Sequence, residues 1–251
     1  LIAGPIVRYD DIRRQLKHRT INFDKLADGT AWFIKGLSKK VLLANNIGML
    51  FDEIRAVDVS ERAVFTTWLM VIAYTFQIYF DFSGYSDMAV GLGKMLGFDF
   101  LQNFDHPYMS VSATEFWRRW HISLGTWFRE YLYIPMGGNR HGELRKMRNL
   151  FVSMLIIGLW HGAGWTFIIW GGLHGILLMI NHAWRKTGIA LPKICNWGMT
   201  FLCVMICWVF FRAGSVSEAT LVLSNLLDWQ TVADASREEI KHLAVITVMI
   251  M

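Results

Sequence analysis

Residues 150–184, LFVSMLIIGLWHGAGWTFIIWGGLHGILLMINHAW, run for 35 positions without an Asp, Glu, Lys or Arg. A transmembrane helix needs about 20 apolar residues to cross about 30 Å of hydrocarbon. As one straight helix the stretch would measure about 52 Å, too long for a single crossing. It also carries glycines at 158, 162, 164, 171, 172 and 175. The reading is two membrane helices separated by a break or strong bend, packed inside protein where the freed backbone groups find partners. That makes the chain an all-α integral membrane protein.

Further spans are expected at residues 63–80, at 194–211 and from 243 onward, each a long apolar run. Residues 41–51 are too short to cross and suit a re-entrant or interfacial helix; 213–227, interrupted by Glu218, suits a short span or a surface helix. Composition agrees. The 251 residues are 54% hydrophobic and 18% charged, with 12 Trp and 17 Phe, whereas soluble domains are about a quarter charged. A disordered tail, a disulfide scaffold and an ordinary cytosolic fold are excluded. Cys195, Cys203 and Cys207 match no zinc or redox spacing, and the last two read as packing residues in an apolar run. With no repeat or linker, residues 1–251 form one membrane domain. The chain starts at Leu1 without Met and stops inside an apolar run, as an excerpt from a longer polypeptide would.

The net charge is +5. Residues 8–40 hold nine Lys or Arg against four acids, and 140–148 add four more basic groups. Basic clusters beside apolar spans belong on the cytoplasmic side, against anionic lipid, so membrane lipids are expected partners and nucleic acid is not.

His161 is the most informative residue. It lies in Gly158-Leu-Trp-His161-Gly-Ala-Gly-Trp165, in the middle of the uncharged run. An ionisable group at membrane depth is a functional hypothesis, and a neutral imidazole can accept a proton from a hydroxyl or thiol. The alternative is a structural histidine bonded to a neighbouring helix. His174, thirteen residues on, shares a site with it only if the chain folds back; it serves either helix packing or the surroundings of the site. His182, near Trp184 and Arg185, reads as an interface anchor.

A second dense region is Phe116-Trp-Arg-Arg-Trp-His121, continuing to Arg129. On helical spacing Trp117, Trp120, Leu124, Trp127, Phe128 and Tyr131 share a face, as in an interfacial amphipathic helix. A sharper reading has Arg118 and Arg119 facing an anionic ligand and His121 reaching a polar cavity. The turn at 133–140 offers amides that could hold a phosphate. Asp81 and Asp87, just past the 63–80 run, either pair at the membrane boundary or line a cavity. Zinc-protease, nucleophile-elbow, Walker and dinucleotide-binding motifs are absent, and no metal site is expected.

Taken together, residues 1–8 (LIAGPIVR), 79–89 (YFDFSGYSDMA), 115–124 (EFWRRWHISL), 131–135 (YLYIP) with 137–140 (GGNR), and 158–162 (GLWHG) resemble the membrane-bound O-acyltransferase (MBOAT) family, and within it the bacterial members that O-acetylate alginate. Met136 departs from the pattern, which favours Leu or Ser there. The resemblance runs from residue 1 to about 212, and the family's proteins are roughly twice this length, so it implies a central portion.

What the resemblance implies is a polytopic helical bundle with re-entrant or interfacial helices around a funnel or tunnel, multi-pass in a bacterial inner membrane. It puts the catalytic histidine at His161 and a second site residue at His121, with Arg118, Arg119, Trp165 and His174 as expected substrate contacts. The implied reaction takes acetyl from a cytoplasmic thioester, with acetyl-CoA as donor and no bound cofactor. The final acceptor would be an exported polysaccharide such as alginate, with a periplasmic SGNH-type acetyltransferase as partner. Two other readings stay open: D-alanyl or other acyl transfer to a cell-wall polymer on the same fold, and a non-catalytic channel or scaffold for the periplasmic enzyme.

Overall fold

The computed structural model describes residues 4–59 and 62–228. These form ten α-helices and, among the described residues, no strand. The span expected from residue 243 lies outside them.

Helix α1 (Tyr9–Lys17) has Asp10 and Asp11 in its first turn and Arg14 and Lys17 in its last, which complements the helix dipole. Helix α2 (Phe23–Ser38) starts at Asn22, whose side chain accepts from the Lys25 N–H at 2.8 Å. One widened π-type segment, Lys39–Ala44, joins it to α3 (Asn45–Ala56), so the 41–51 region is part of a longer helical stretch.

Helix α4 (Val64–Met95) is continuous over 32 residues, about 48 Å. The apolar run 63–80 is only its first half, and Asp81 and Asp87 lie inside the helix, not past its end. They are tolerated because Lys40 and Lys39, on the widened segment, reach them at 2.5 and 2.7 Å. Helices α2 and α4 pack antiparallel through glycines. A Cβ on Gly29 would meet the Gly91 carbonyl oxygen at 2.7 Å, and one on Gly36 the Gly84 oxygen at 2.5 Å. Close approach of this kind is how membrane helices gain van der Waals contact without a hydrophobic driving force.

The aromatic face expected to form one amphipathic helix is split. Helix α5 (Ala113–Arg119) stops at Trp120, and α6 (Ile122–Phe128) restarts after His121. Trp120, Leu124 and Phe128 are buried as the spacing predicts, while Trp117 is half-buried, Trp127 and Tyr131 are exposed, and the buried Phe116 lies off the expected face.

Helices α7 (Glu143–His161) and α8 (Trp165–Thr187) are parted by the expected break, at 162–164, but of the two expected membrane helices α8 alone is both long and apolar enough to cross. Helix α9 (Lys193–Arg212) follows, then α10 (Val216–Asn225). At ten residues α10 is about 15 Å long, so 213–227 holds a surface helix and not a crossing. Among the described residues α8 and α9, with mean hydropathies of 1.3 and 1.9, are the two helices both long and apolar enough to cross a membrane.

The core lies where α4, α5, α8 and α9 meet, around Phe116, Trp120, Trp170 and Trp208. Tyr108 ties it together: its hydroxyl donates to the Thr75 carbonyl at 2.6 Å and accepts from Trp208 Nε1 at 3.1 Å. Cys207 is buried in this core and Cys203 is half-buried, consistent with packing roles.

Candidate functional site

His161 is the last residue of α7, and the break that follows is built from Gly162, Ala163 and Gly164. The ring is half-buried, edge-on to Trp160, Trp170 and Phe211 at centroid distances of 4.9, 5.1 and 5.2 Å. Among the described residues its ring nitrogens have no hydrogen-bond partner. It faces a cavity of about 750 Å³ whose wall also includes His121, Tyr74, Gln77, Asp81 and Arg212. That volume is in the range of small-molecule sites.

His121 comes to the same cavity from the α5–α6 junction. Its backbone is left-handed, with φ at 46°, a conformation that costs a non-glycine residue about 1–2 kcal/mol. Asn103 holds the junction: its carbonyl accepts from the Ile122 N–H at 2.9 Å, and its side-chain Oδ1 accepts from the Ser123 N–H at 3.0 Å. The imidazole Nδ1 is 3.2 Å from the same Oδ1, and the Phe82 ring stands edge-on at 4.7 Å. The chain therefore brings two imidazoles, 40 positions apart in sequence, to one chamber.

Charge is also present in the wall. Lys40 pairs with Asp81, and the Arg212 guanidinium sits over Phe51 and Tyr74 at 5.0 and 5.8 Å. Gln77, Lys40 and Arg212 were not singled out by sequence. Arg212 carried a usable signal, as the cation ending an apolar span.

The other sequence candidates lie elsewhere. Arg118 is exposed and lines a separate cavity of about 600 Å³ with Trp117, Arg129 and Tyr133. Arg119 is engaged by Glu115 at 2.8 Å and reaches the Asp105 carbonyl at 3.4 Å. Trp165, at the start of α8, is 73% exposed and is not in the wall of the His161 cavity. His174 is buried among Phe116, Trp117 and Trp170. The Trp117 Nε1–H donates to its Nδ1 at 3.2 Å, so that lone pair is occupied and the ring proton sits on Nε2.

The turn at 133–140 leaves fewer amides free than expected. The N–H groups of Met136, Gly137, Gly138 and Arg140 all bond to carbonyls of the same turn region. Asn149 Nδ2 closes it by donating to the Met136 and Gly138 carbonyls at 3.0 and 3.1 Å.

A helical bundle with two membrane-length apolar helices among the described residues, and two imidazoles lining one ligand-sized chamber, has the form of a membrane protein with an internal pocket. The chain belongs to the membrane-bound O-acyltransferase family, whose model matches residues 1–223. It is 47% identical over 256 positions to the probable alginate O-acetylase AlgI of Azotobacter vinelandii, covering all of this chain and 50% of that protein. It is 44% identical over 234 positions to a peptidoglycan O-acetyltransferase of Helicobacter pylori, covering 90% of this chain and 44% of that one. A teichoic acid D-alanyltransferase of Streptococcus thermophilus is 32% identical over 204 positions, with 76% of this chain and 49% of that protein covered. The chain thus spans about half the length of the curated relatives it matches.

Proposed function

We propose that this chain is the central, site-bearing portion of a multi-pass inner-membrane O-acetyltransferase that serves an exported polysaccharide. The observation that carries the reading is the convergence of His161 and His121 on one cavity of about 750 Å³. His161 takes the proton from an acceptor hydroxyl; the hydroxyl oxygen bonds to the thioester carbonyl carbon; the carbon–sulfur bond breaks, and the proton passes to the departing thiolate. General-base assistance of this kind contributes about 10²–10⁴ in rate. A neutral imidazole is a proton acceptor, and this ring, edge-on to three aromatic rings, has no hydrogen-bond partner on its nitrogens among the described residues.

Acetyl-CoA is the proposed donor, entering from the cytoplasm, and Arg212, over Phe51 and Tyr74 in the wall, suits an anionic donor of that kind. A periplasmic SGNH-type acetyltransferase is the proposed recipient on the other side. Acetylases of alginate and peptidoglycan among the relatives favour acetyl as the acyl group. The D-alanyltransferase at lower identity keeps D-alanyl transfer as a second reading.

The test is His161→Ala in the full-length protein, at matched membrane level, with ester-linked acetate on the exported polymer as readout. Loss of acetate supports the reading; unchanged acetate removes His161 from the mechanism and leaves the scaffold reading. Supplying acetyl-CoA against a D-alanyl carrier protein separates the two acyl groups.

A further inference from the structure

The hydrogen bonds around Asn103 decide which nitrogen of His121 carries the proton. A backbone N–H can only donate. The Ser123 N–H donates to Asn103 Oδ1 at 3.0 Å, which identifies that atom as the amide oxygen and not the nitrogen. Ser123 Oγ accepts from the Ile6 N–H at 2.9 Å and so donates its own proton to Asn103 Oδ1 at 2.8 Å. Oδ1 thereby accepts twice from Ser123 and has no hydrogen of its own to offer. The His121 Nδ1 that lies 3.2 Å from it must then carry a hydrogen. In a neutral imidazole this leaves Nε2 as a bare lone pair. Nδ1 is turned to Asn103, while the ring lines the His161 cavity and Nε2 has no protein partner among the described residues.

We infer that Asn103 is a positioning residue for the acyltransfer site: it locks His121 in the Nδ1–H tautomer, so that Nε2 faces the cavity as a second proton acceptor beside His161. The inference rests on the acyltransferase reading above. Three features of the structure serve this one outcome. The left-handed backbone at His121 places the ring at the junction of α5 and α6. The Asn103 carbonyl and side chain grip Ile122 and Ser123, the two residues that follow that strain. Asn103 itself is 1% exposed, so water does not compete for Oδ1. Strain of this type persists only where its surroundings over-determine it, and it clusters at functional sites. Once His161 has taken the hydroxyl proton, Nε2 receives it on its way to the departing thiolate; the ring is then a cation whose Nδ1–H bond to Asn103 strengthens, until the proton leaves with the thiolate. His174 has the opposite tautomer, with its Nδ1 lone pair occupied by Trp117, and has no such role.

The experiment uses the full-length protein, with Asn103→Ala, Asn103→Asp and Ser123→Ala compared for kcat, KM, the pH profile of kcat/KM and thermal stability. Asn103→Ala should lower kcat about 10- to 100-fold with little change in KM, part of the general-base contribution. Asn103→Asp keeps the acceptor, so activity should return. Its negative charge favours the imidazolium, so the acid limb of the profile should move to higher pH. His161, Asp52, Asp81, Lys40 and Arg212 also face the cavity and are the same in every variant. Ser123→Ala removes a hydroxyl but not the Asn103–His121 bond, so it should lower stability more than kcat.

If Asn103→Ala does not fold, nitrogen-15 NMR of histidine-labelled wild type and Asn103→Asp still decides the matter. The His121 signals, assigned by their loss in His121→Ala, should show a protonated Nδ1 and a bare Nε2. A bare Nδ1, or an Asn103→Ala enzyme with normal kcat and pH profile, overturns the inference. Activity that falls only in step with folded protein, equally in Asn103→Ala and Ser123→Ala, overturns it too. Full activity in both His161→Ala and His121→Ala would instead sink the acyltransferase reading itself.

Discussion

Gly158 of α7 and Gly171 of α8 stand against each other with no room for a side chain: a Cβ on Gly158 would lie 2.3 Å from the Phe167 carbonyl oxygen, and one on Gly171 2.4 Å from that of Met154. Both obstacles are backbone, which cannot rotate away. This contact sets the angle of the helix pair whose break presents His161. Gly171→Val should therefore force the helices apart, at about 1–3 kcal/mol for overpacking. The full-length variant should melt lower in detergent and lose acetylation although His161 is intact. A melting point equal to wild type would show that the helix pair is not held by this contact.

Two ion pairs on α4 make opposite predictions. Lys39 and Asp87 meet at 2.7 Å with side chains 18% and 6% exposed. Removing one partner strands a buried charge, which costs about 3–5 kcal/mol. Asp87→Leu should therefore destabilise strongly, and adding Lys39→Met should restore most of the loss. The Lys40–Asp81 pair is 40% and 39% exposed, and such pairs contribute about 0–1 kcal/mol. Asp81→Asn should leave thermal stability nearly unchanged and alter donor KM, because Asp81 and Lys40 line the cavity. Thermal melts of the three variants, with KM for the donor, check the contrast.

These pairs also show what the sequence could and could not reveal. The break at 162–164 was legible because glycines interrupt a charge-free run, and the buried Trp120, Leu124 and Phe128 were legible from helical spacing. The continuation of α4 through Asp81 and Asp87 was not, because the lysines that neutralise them lie more than 40 positions away. The glycines at 158 and 171 were read as weak points of a helix, and they prove to be points of contact; spacing alone does not separate the two. His121 was singled out as a residue while its break in the helix was missed, since the junction is held by Asn103, a loop residue 18 positions upstream with nothing in the sequence to link the two. Arg119 could have been discounted in advance: Glu115 sits four positions before it, the spacing of a helical ion pair.

The two imidazoles of the cavity should act as a unit. His161→Ala alone is expected to cost about 10²–10⁴ in kcat. If His121 accepts protons in the same reaction, His121→Ala will cost part of that factor, and the double variant will cost less than the product of the two. Groups that serve one step are non-additive in this way. Single-turnover acetylation of the full-length protein and its three variants measures the coupling. Strictly multiplicative losses would mean that the two rings serve separate steps, despite facing one chamber.

Helix α1 should detach in acid. Arg8 binds both Asp11, at 2.7 Å, and Glu130 beyond α6, so it ties the start of the chain to the site-bearing helices. The Arg8 guanidinium holds the Asp11 carboxyl below its ordinary range, chiefly through the side-chain hydrogen bond. A carboxylate whose folded-state pKa is depressed stabilises the fold fully above its unfolded value, about 3.9 for Asp. That stabilisation is lost as pH falls through the lower folded value. Protonation also weakens the Arg8 N–H contact to Asp11 Oδ2, at 3.2 Å, that caps α1. Hydrogen exchange over residues 9–17, corrected for intrinsic rate, should therefore rise below about pH 4 while α8 and α9 stay protected. In Asp11→Asn the neutral side chain should make exchange in α1 faster at pH 7 and shrink its rise on going down to pH 3 to the part that the Arg8–Glu130 pair contributes. If wild-type α1 exchanges at the same corrected rate at both ends of that range, the Arg8–Asp11 bond is not what secures it.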